Sequence, residues 1–203
     1  MIAELGINHN GSMDLARQLM EQAKQCGAEA VKFQKRTVEV VYTPEELVRP
    51  RTSPFGTTNG DLKRHLEFSV EQMGELGLAA KGLGLAWGVS CWDVPSVAAM
   101  AALEPDFLKM ASACLTNTAL CEAYYRTGIP NYLSTGMSTW EEIDAAVAVL
   151  QPACLLHCHS AYPSPLTEIN LAVLPALRER YGRPVGYSSH TVSPWPALMA
   201  VVL

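Results

Sequence analysis

Lys32 and Lys109 each lie inside a short apolar run, VKFQK and FLKMAS, where an unpaired ammonium is costly to bury. Each therefore needs an anion, supplied by a ligand or by a buried carboxylate such as Glu4. Hydroxyls close or follow similar runs at Ser112, Ser134, Thr135 and Ser188, with glycine turns or helix starts just beyond, as in STGMS. Hydroxyls, backbone amides and helix N-termini together hold phosphate or carboxylate groups, whereas any one serine is an ordinary cap or turn residue. The convergence carries the weight. His190, in GYSSHT, can ligate a divalent metal or act as an acid or base, and a structural or solvated role suits a lone histidine equally well. The run HCH puts His157 and His159 on one side of a strand, a spacing open to metal binding, although local hydrogen bonding suits His157 better. Glu4 falls within an apolar strand, where a carboxylate must be paired or functional.

The elements that must position these groups alternate short apolar runs with longer stretches of helical period, the pattern of βα units and a parallel sheet. Strands are expected at Ile2 to Gly6, Ala30 to Gln34, Leu85 to Ser90, Phe107 to Met110, Asn131 to Ser134, Cys154 to Cys158 and Val185 to Ser188. Helices are expected near 12–26, 68–82, 94–103, 117–127, 139–150, 170–181 and 194–203, with Ser12 and Ser138 as caps and Gly27, Gly128 and Gly182 at ends. Nearly every strand ends in a polar residue. An open doubly wound sheet gathers ligand groups at one switch point, while a barrel gathers them from most strands. The expected fold is therefore α/β, a (β/α)8 TIM barrel, incomplete here at about seven βα units with the last strand missing, since a full barrel takes about 250 residues. One connection is long: from Arg36 to about Leu66 the chain passes through TSPFGTTNG before KRHLEF resumes a helix, which reads as a lid or binding loop or as a passive surface excursion.

The 203 residues, 49% hydrophobic, can bury a substantial core as one domain spanning 1–203. A net charge of −5 without a basic stripe argues against nucleic-acid binding. No run reaches the roughly 18 apolar residues of a membrane span, and MIAELGINHNG lacks the order of a signal peptide, so a cytoplasmic protein is expected. The six cysteines form no CxxC pair and suit reduced interior roles.

The segment IAELGINHNGSMDLARQLMEQAKQCGAEAVKFQK resembles the opening of the sialic acid synthases, the N-acetylneuraminate synthase family. The resemblance continues through KRHLEF, LKMAS, LSTGMS, LHCHSAYPSP and GYSSHT, in the family's order and over essentially the whole chain. It implies condensation of phosphoenolpyruvate with an N-acyl mannosamine-type sugar to a nine-carbon 2-keto acid and phosphate. It also implies a homodimer and a small C-terminal antifreeze-like domain that is absent from this chain. Phosphoenolpyruvate ligands would be Lys32, Lys109, Ser112, Ser134 and Ser188, with Gln34 orienting Lys32. His190 matches one of two histidines that hold Mn2+ or Mg2+, Glu4 a glutamate near that metal and its water, and Tyr162, with Ser160 nearby, a residue of the sugar pocket.

The implied chemistry has the metal polarise the open-chain aldehyde while C3 of phosphoenolpyruvate attacks it. Water then adds at C2 with Glu4 managing its proton, phosphate leaves, and the lysines stabilise the charge. The catalytic set is thus Glu4, Lys109 and His190. Four positions depart from well-known relatives: Cys114 replaces an acidic residue that meets the sugar, Cys91 a threonine, Ser160 an asparagine and Ser189 an aspartate or glycine. A thiol does not accept a sugar hydroxyl as a carboxylate does, so a legionaminic- or pseudaminic-type acceptor is as admissible as N-acetylmannosamine. Another phosphoenolpyruvate-aldose synthase and a truncated, non-catalytic ligand-binding barrel are the competing readings, and the second metal histidine is expected beyond Leu203, leaving the isolated chain inactive.

Overall fold

The computed structural model describes residues 1–203. The chain divides into two compact units, Met1–Leu108 and Lys109–Leu203, and the division falls within a strand.

In the first unit β1 (Ile2–Gly6), β2 (Ala30–Lys35), β5 (Ala86–Cys91) and β6 (Phe107–Met110) pair in that order, all parallel. Val31, Phe33, Trp87, Val89 and Leu108 are among the buried strand residues. Against them lie α1 (Met13–Gln25), which buries Ala16 and Met20, and α5 (Val70–Gly82), which buries Met73, Leu76 and Ala80. Ser12 accepts the Leu15 amide as the cap of α1, as expected, and Ser69 with Gln72 forms a capping box on α5. Gly77 is glycine because a β-carbon there would stand 2.7 Å from the Trp87 indole. The helix α6 (Val94–Ala101) starts at Asp93, whose carboxylate caps Ser96.

The stretch from Arg36 to Leu66 is not the irregular loop expected. It holds α2 (Val38–Val41), α3 (Pro44–Val48), a hairpin of β3 (Pro50–Ser53) and β4 (Gly56–Thr58), and α4 (Asn59–His65). Two capping boxes account for much of this order: Thr43 with Glu46 starts α3, and Thr58 with Asp61 starts α4. The helix anticipated from KRHLEF ends at His65, and the next one begins only at Val70.

In the second unit β7 (Asn131–Ser134), β8 (Cys154–Cys158) and β9 (Val185–Ser188) run parallel in that order. They alternate with α7 (Thr118–Arg126), α8 (Trp140–Leu150), α9 (Val173–Tyr181) and α10 (Trp195–Val202). Thr139, not Ser138, caps α8, because Glu142 completes its capping box; the Ser138 hydroxyl turns back to the Gly136 carbonyl. Gly182 ends α9 in the left-handed region, at φ 60°.

The seven βα repeats make this an α/β chain of the expected class, a (β/α)8 barrel represented by seven of its strands. No helix is long and apolar enough to cross a membrane.

Candidate functional site

Strand periodicity places Lys32 and Gln34 on one face of β2, and the parallel register sets Glu4 opposite Lys32 and Ser90 opposite Gln34. Four polar side chains thus share one face of three adjacent strands. Lys32 Nζ donates to Ser90 Oγ at 2.9 Å and is ion-paired with the Glu4 carboxylate. The lysine is 6% exposed while Glu4 stands half open to solvent, so the cation is desolvated and its carboxylate partner is not. The Glu4 carboxylate is thus one anionic partner of Lys32. Gln34 Nε2 donates to the other Glu4 oxygen, Oε1, at 3.3 Å. The nearby NHNG element serves structure: His9 is buried, accepts the Gly11 amide at 3.1 Å and stacks on Phe68. Burial pushes its pKa down, opposed by a hydrogen bond with Gly6.

The second unit gathers a different set. Lys109, half-buried, lies where β6 ends, and the Tyr124 hydroxyl donates to its carbonyl at 3.1 Å. Ser112 opens a single 3-10 turn and accepts the Gly136 amide at 3.0 Å. Gly136 is hemmed in: a β-carbon there would stand 2.7 Å from the Cys158 carbonyl oxygen and 3.0 Å from Ser112 Oγ, with Ser160 Oγ closer still. Ser134 Oγ and Ser160 Oγ are both buried without a hydrogen-bond partner. Such atoms are costly unless something accepts or donates to them. Ser188 ends β9 in register with Cys158. Thr135, by contrast, spends its amide and its hydroxyl on the Leu156 carbonyl.

His190 meets Cys158, His159 and Tyr162. Its Nδ1 faces the His159 carbonyl at 2.8 Å and so carries the hydrogen, which leaves the Nε2 lone pair toward the Tyr162 hydroxyl at 2.8 Å. The two rings stack with centroids 4.0 Å apart. Burial works against the charged imidazole, but the Cys158 sulfur, 3.6 Å from Nδ1, and the His159 carbonyl outweigh it and push the pKa up. For Cys158 burial alone would raise the thiol; His190, the Lys109 charge and the Ser112 hydroxyl together bring it below its ordinary value.

An imidazole whose Nδ1 is fixed by a carbonyl is oriented as a metal ligand is. Yet no three His, Cys, Asp or Glu side chains converge on one point. Among the residues of this chain His190 thus offers one ligand position; the first unit gathers a carboxylate and a lysine, and the second a lysine and a group of hydroxyls. His159 is engaged elsewhere, 3.2 Å from Glu168 and hydrogen-bonded with Ser164. His157 is buried beside Tyr187, and desolvation followed by the charge of His159 lowers its pKa. The two imidazoles of HCH thus meet different partners.

The expected residues fall into these two sets: Glu4, Lys32 and Gln34 in the first unit, and Lys109, Ser112, Ser134, Ser160, Tyr162, Ser188 and His190 in the second. Three further participants carry little signal in the sequence. Ser90 is visible there as a polar strand end, Gly136 only as a turn glycine, and Cys158 only as an interior thiol. Their roles depend on register between strands, which spacing along one strand does not encode.

Human N-acetylneuraminate-9-phosphate synthase is 34% identical over 210 residues, covering all of this chain and 58% of its own length. The N,N'-diacetyllegionaminic acid synthase of Legionella pneumophila is 33% identical over 204 residues, covering 95% of this chain and 57% of its own. The chain thus spans less than two thirds of these curated relatives. The crystal structure of N-acetylneuraminic acid synthetase from Leptospira borgpetersenii matches with a TM-score of 0.88 at 28% identity, over 98% of this chain and 68% of that one. The sequence profile of the NeuB family matches residues 19–203, and with a relative above 30% identity over the full chain this protein belongs to the NeuB family.

Proposed function

We propose that the chain is the barrel portion of a synthase that joins phosphoenolpyruvate to an N-acyl mannosamine-type sugar, releasing phosphate and a nine-carbon 2-keto acid. The observation that carries this is the set of hydroxyls around Gly136, where Ser134 Oγ and Ser160 Oγ are buried without partners beside Ser112. Buried hydroxyls near a lysine suit the oxygens of a phosphate or carboxylate. Lys109 in the same unit supplies a cation, and Ser188 adds a hydroxyl; in the first unit Lys32 is the cation that the resemblance assigns to phosphoenolpyruvate.

In the proposed reaction C3 of phosphoenolpyruvate bonds to the aldehyde carbon, water adds at C2, and the C2–O bond to phosphate breaks. Glu4 holds that water and takes its proton on a carboxylate oxygen, with Lys32 and Gln34 fixing the carboxylate. A lysine ammonium offsets the negative charge that collects on the departing phosphate. Tyr162 presents a ring and a hydroxyl to the sugar. A manganese or magnesium ion belongs to the proposal through His190 Nε2 alone, where it would polarise the aldehyde. Cys114 is 8% exposed and is no hydroxyl acceptor of carboxylate strength, which favours acceptors of the legionaminic type as much as N-acetylmannosamine. A homodimer, an appended antifreeze-like domain and a cytoplasmic setting complete the proposal.

The test is calorimetric binding of phosphoenolpyruvate to this chain, joined to phosphate release by the protein that contains it, across a panel of N-acyl hexosamines. Binding that is lost in both Lys32→Ala and Lys109→Ala supports the reading. No binding, and no phosphate release with any sugar, would sink it and leave a non-catalytic barrel.

A further inference from the structure

The guanidinium of Arg36 stands at the end of a chain of contacts that leads to Glu4. Its Nη2 donates to Gln34 Oε1, and Gln34 Nε2 donates to Glu4 Oε1 at 3.3 Å, while Lys32 holds the other Glu4 oxygen. Arg36 is itself fixed from three sides. Its amide donates to Glu67 Oε2 and its Nη1 to Glu67 Oε1, both at 3.0 Å, and its Cζ lies 4.8 Å from the Trp92 ring centroid. Both partners of the ion pair are about nine-tenths buried.

The chemistry of the donors makes this more than packing. A primary amide can present either its carbonyl or its NH2 to a neighbour, and the two ends have nearly the same shape. A carboxylate accepts only, so Glu4 is served by one of those ends and repelled by the other. A guanidinium donates only, so it takes the carbonyl end of Gln34 and leaves the NH2 for Glu4. We propose that Arg36, held by Glu67 and Trp92, is a positioning residue that sets the orientation of the Gln34 amide and through it the plane of the Glu4 carboxylate. This rests on the function proposed above, in which Glu4 and Lys32 serve phosphoenolpyruvate and its water. The same pair marks the two ends of the excursion: Arg36 follows β2, Glu67 follows α4, and Lys35 Nζ donates to the Phe68 carbonyl at 2.7 Å. The site's orienting group and the stem of the excursion are therefore one structure.

A double-mutant cycle on phosphoenolpyruvate affinity separates orientation from general support. Arg36→Lys keeps a positive charge for Glu67 but loses the fork that reaches Gln34 at the same time. It is expected to weaken binding about ten-fold, the size of one lost charge-assisted hydrogen bond. In a Gln34→Ala background the same change is expected to cost less than about two-fold, because nothing remains to be oriented. Glu67→Gln, nearly isosteric, is measured in both backgrounds in case Arg36→Lys does not fold, with the same coupling expected. Equal losses with and without Gln34, or no loss in either folded variant, overturn the proposal. Absence of phosphoenolpyruvate binding by the unsubstituted chain overturns the functional reading and the proposal with it, whereas binding with additive losses overturns the proposal alone.

Discussion

The two units bring different kinds of polar side chain to their strand ends. In the first, the charged groups have partners: Lys32 has Glu4 and Ser90, Arg36 has Glu67, and Asp93 accepts from Thr37 and from Ser96. In the second, the groups are mostly neutral hydroxyls, and those of Ser134 and Ser160 are buried without partners. Matched charges hold one another in place and resist change. Unmatched hydroxyls cost stability in the folded chain and recover it when a ligand arrives. Ion pairs thus mark the strand ends of the first unit, and unpartnered hydroxyls those of the second.

The largest effect that sharpens this contrast is on turnover. Lys109→Ala or His190→Ala is expected to lower phosphate release by the protein containing this chain by on the order of 10³-fold or more, read at saturating phosphoenolpyruvate. Near-normal rates in both would move the chemistry away from the second unit. Next comes stability: Glu67→Ala leaves the Arg36 guanidinium buried and unpaired, and should destabilise the chain by about 3–5 kcal/mol in a urea titration. A loss under about 1 kcal/mol would show that the first unit's ion pairs are not rigidly held. In the second unit Ser134→Ala should change stability by less than about 1 kcal/mol, since it removes a hydroxyl with no partner, while still weakening phosphoenolpyruvate binding. A large destabilisation there would erase the contrast. The smallest effect lies at the surface of the second unit, where Arg180 and the Tyr181 hydroxyl donate to Asp144 and hold its pKa down to about 2. A carboxyl depressed in the folded state adds stability above its unfolded value, and that contribution fades as pH falls from about 4 through about 2. Asp144→Asn should therefore flatten the acid limb of a stability-against-pH curve in that window only.

Much of the fold is legible in the sequence because each strand is a short apolar run closed by a polar residue. All seven strands fall within one residue of their expected bounds at each end, as where β2 reaches Lys35 and β5 shifts to Ala86–Cys91. The excursion misleads for a local reason. Its glycines, prolines and threonines suggest an open loop, yet Thr43 and Glu46, like Thr58 and Asp61, are spaced as capping boxes and nucleate short helices. Lys32 and Lys109 stand out in the sequence because a lysine in an apolar strand needs a partner. Which partner is not readable, since Glu4 meets Lys32 through a register between strands 28 residues apart in sequence. The approach of Cys158 to His190 has the same origin, because β8 and β9 must pair before the thiol and the imidazole can meet.

The clasp at Arg36 and Glu67 also bears on how such a chain can diversify. Because both ends of the 36–67 excursion close on one buried ion pair, the intervening helices and hairpin form a cassette whose length and content can be exchanged while its anchorage stays fixed. Extra residues between fixed ends add little closure entropy, roughly 0.6 kcal/mol for each doubling of length. Grafting this segment from one relative to another, with the arginine and the glutamate retained, is expected to leave the parallel strands unaltered.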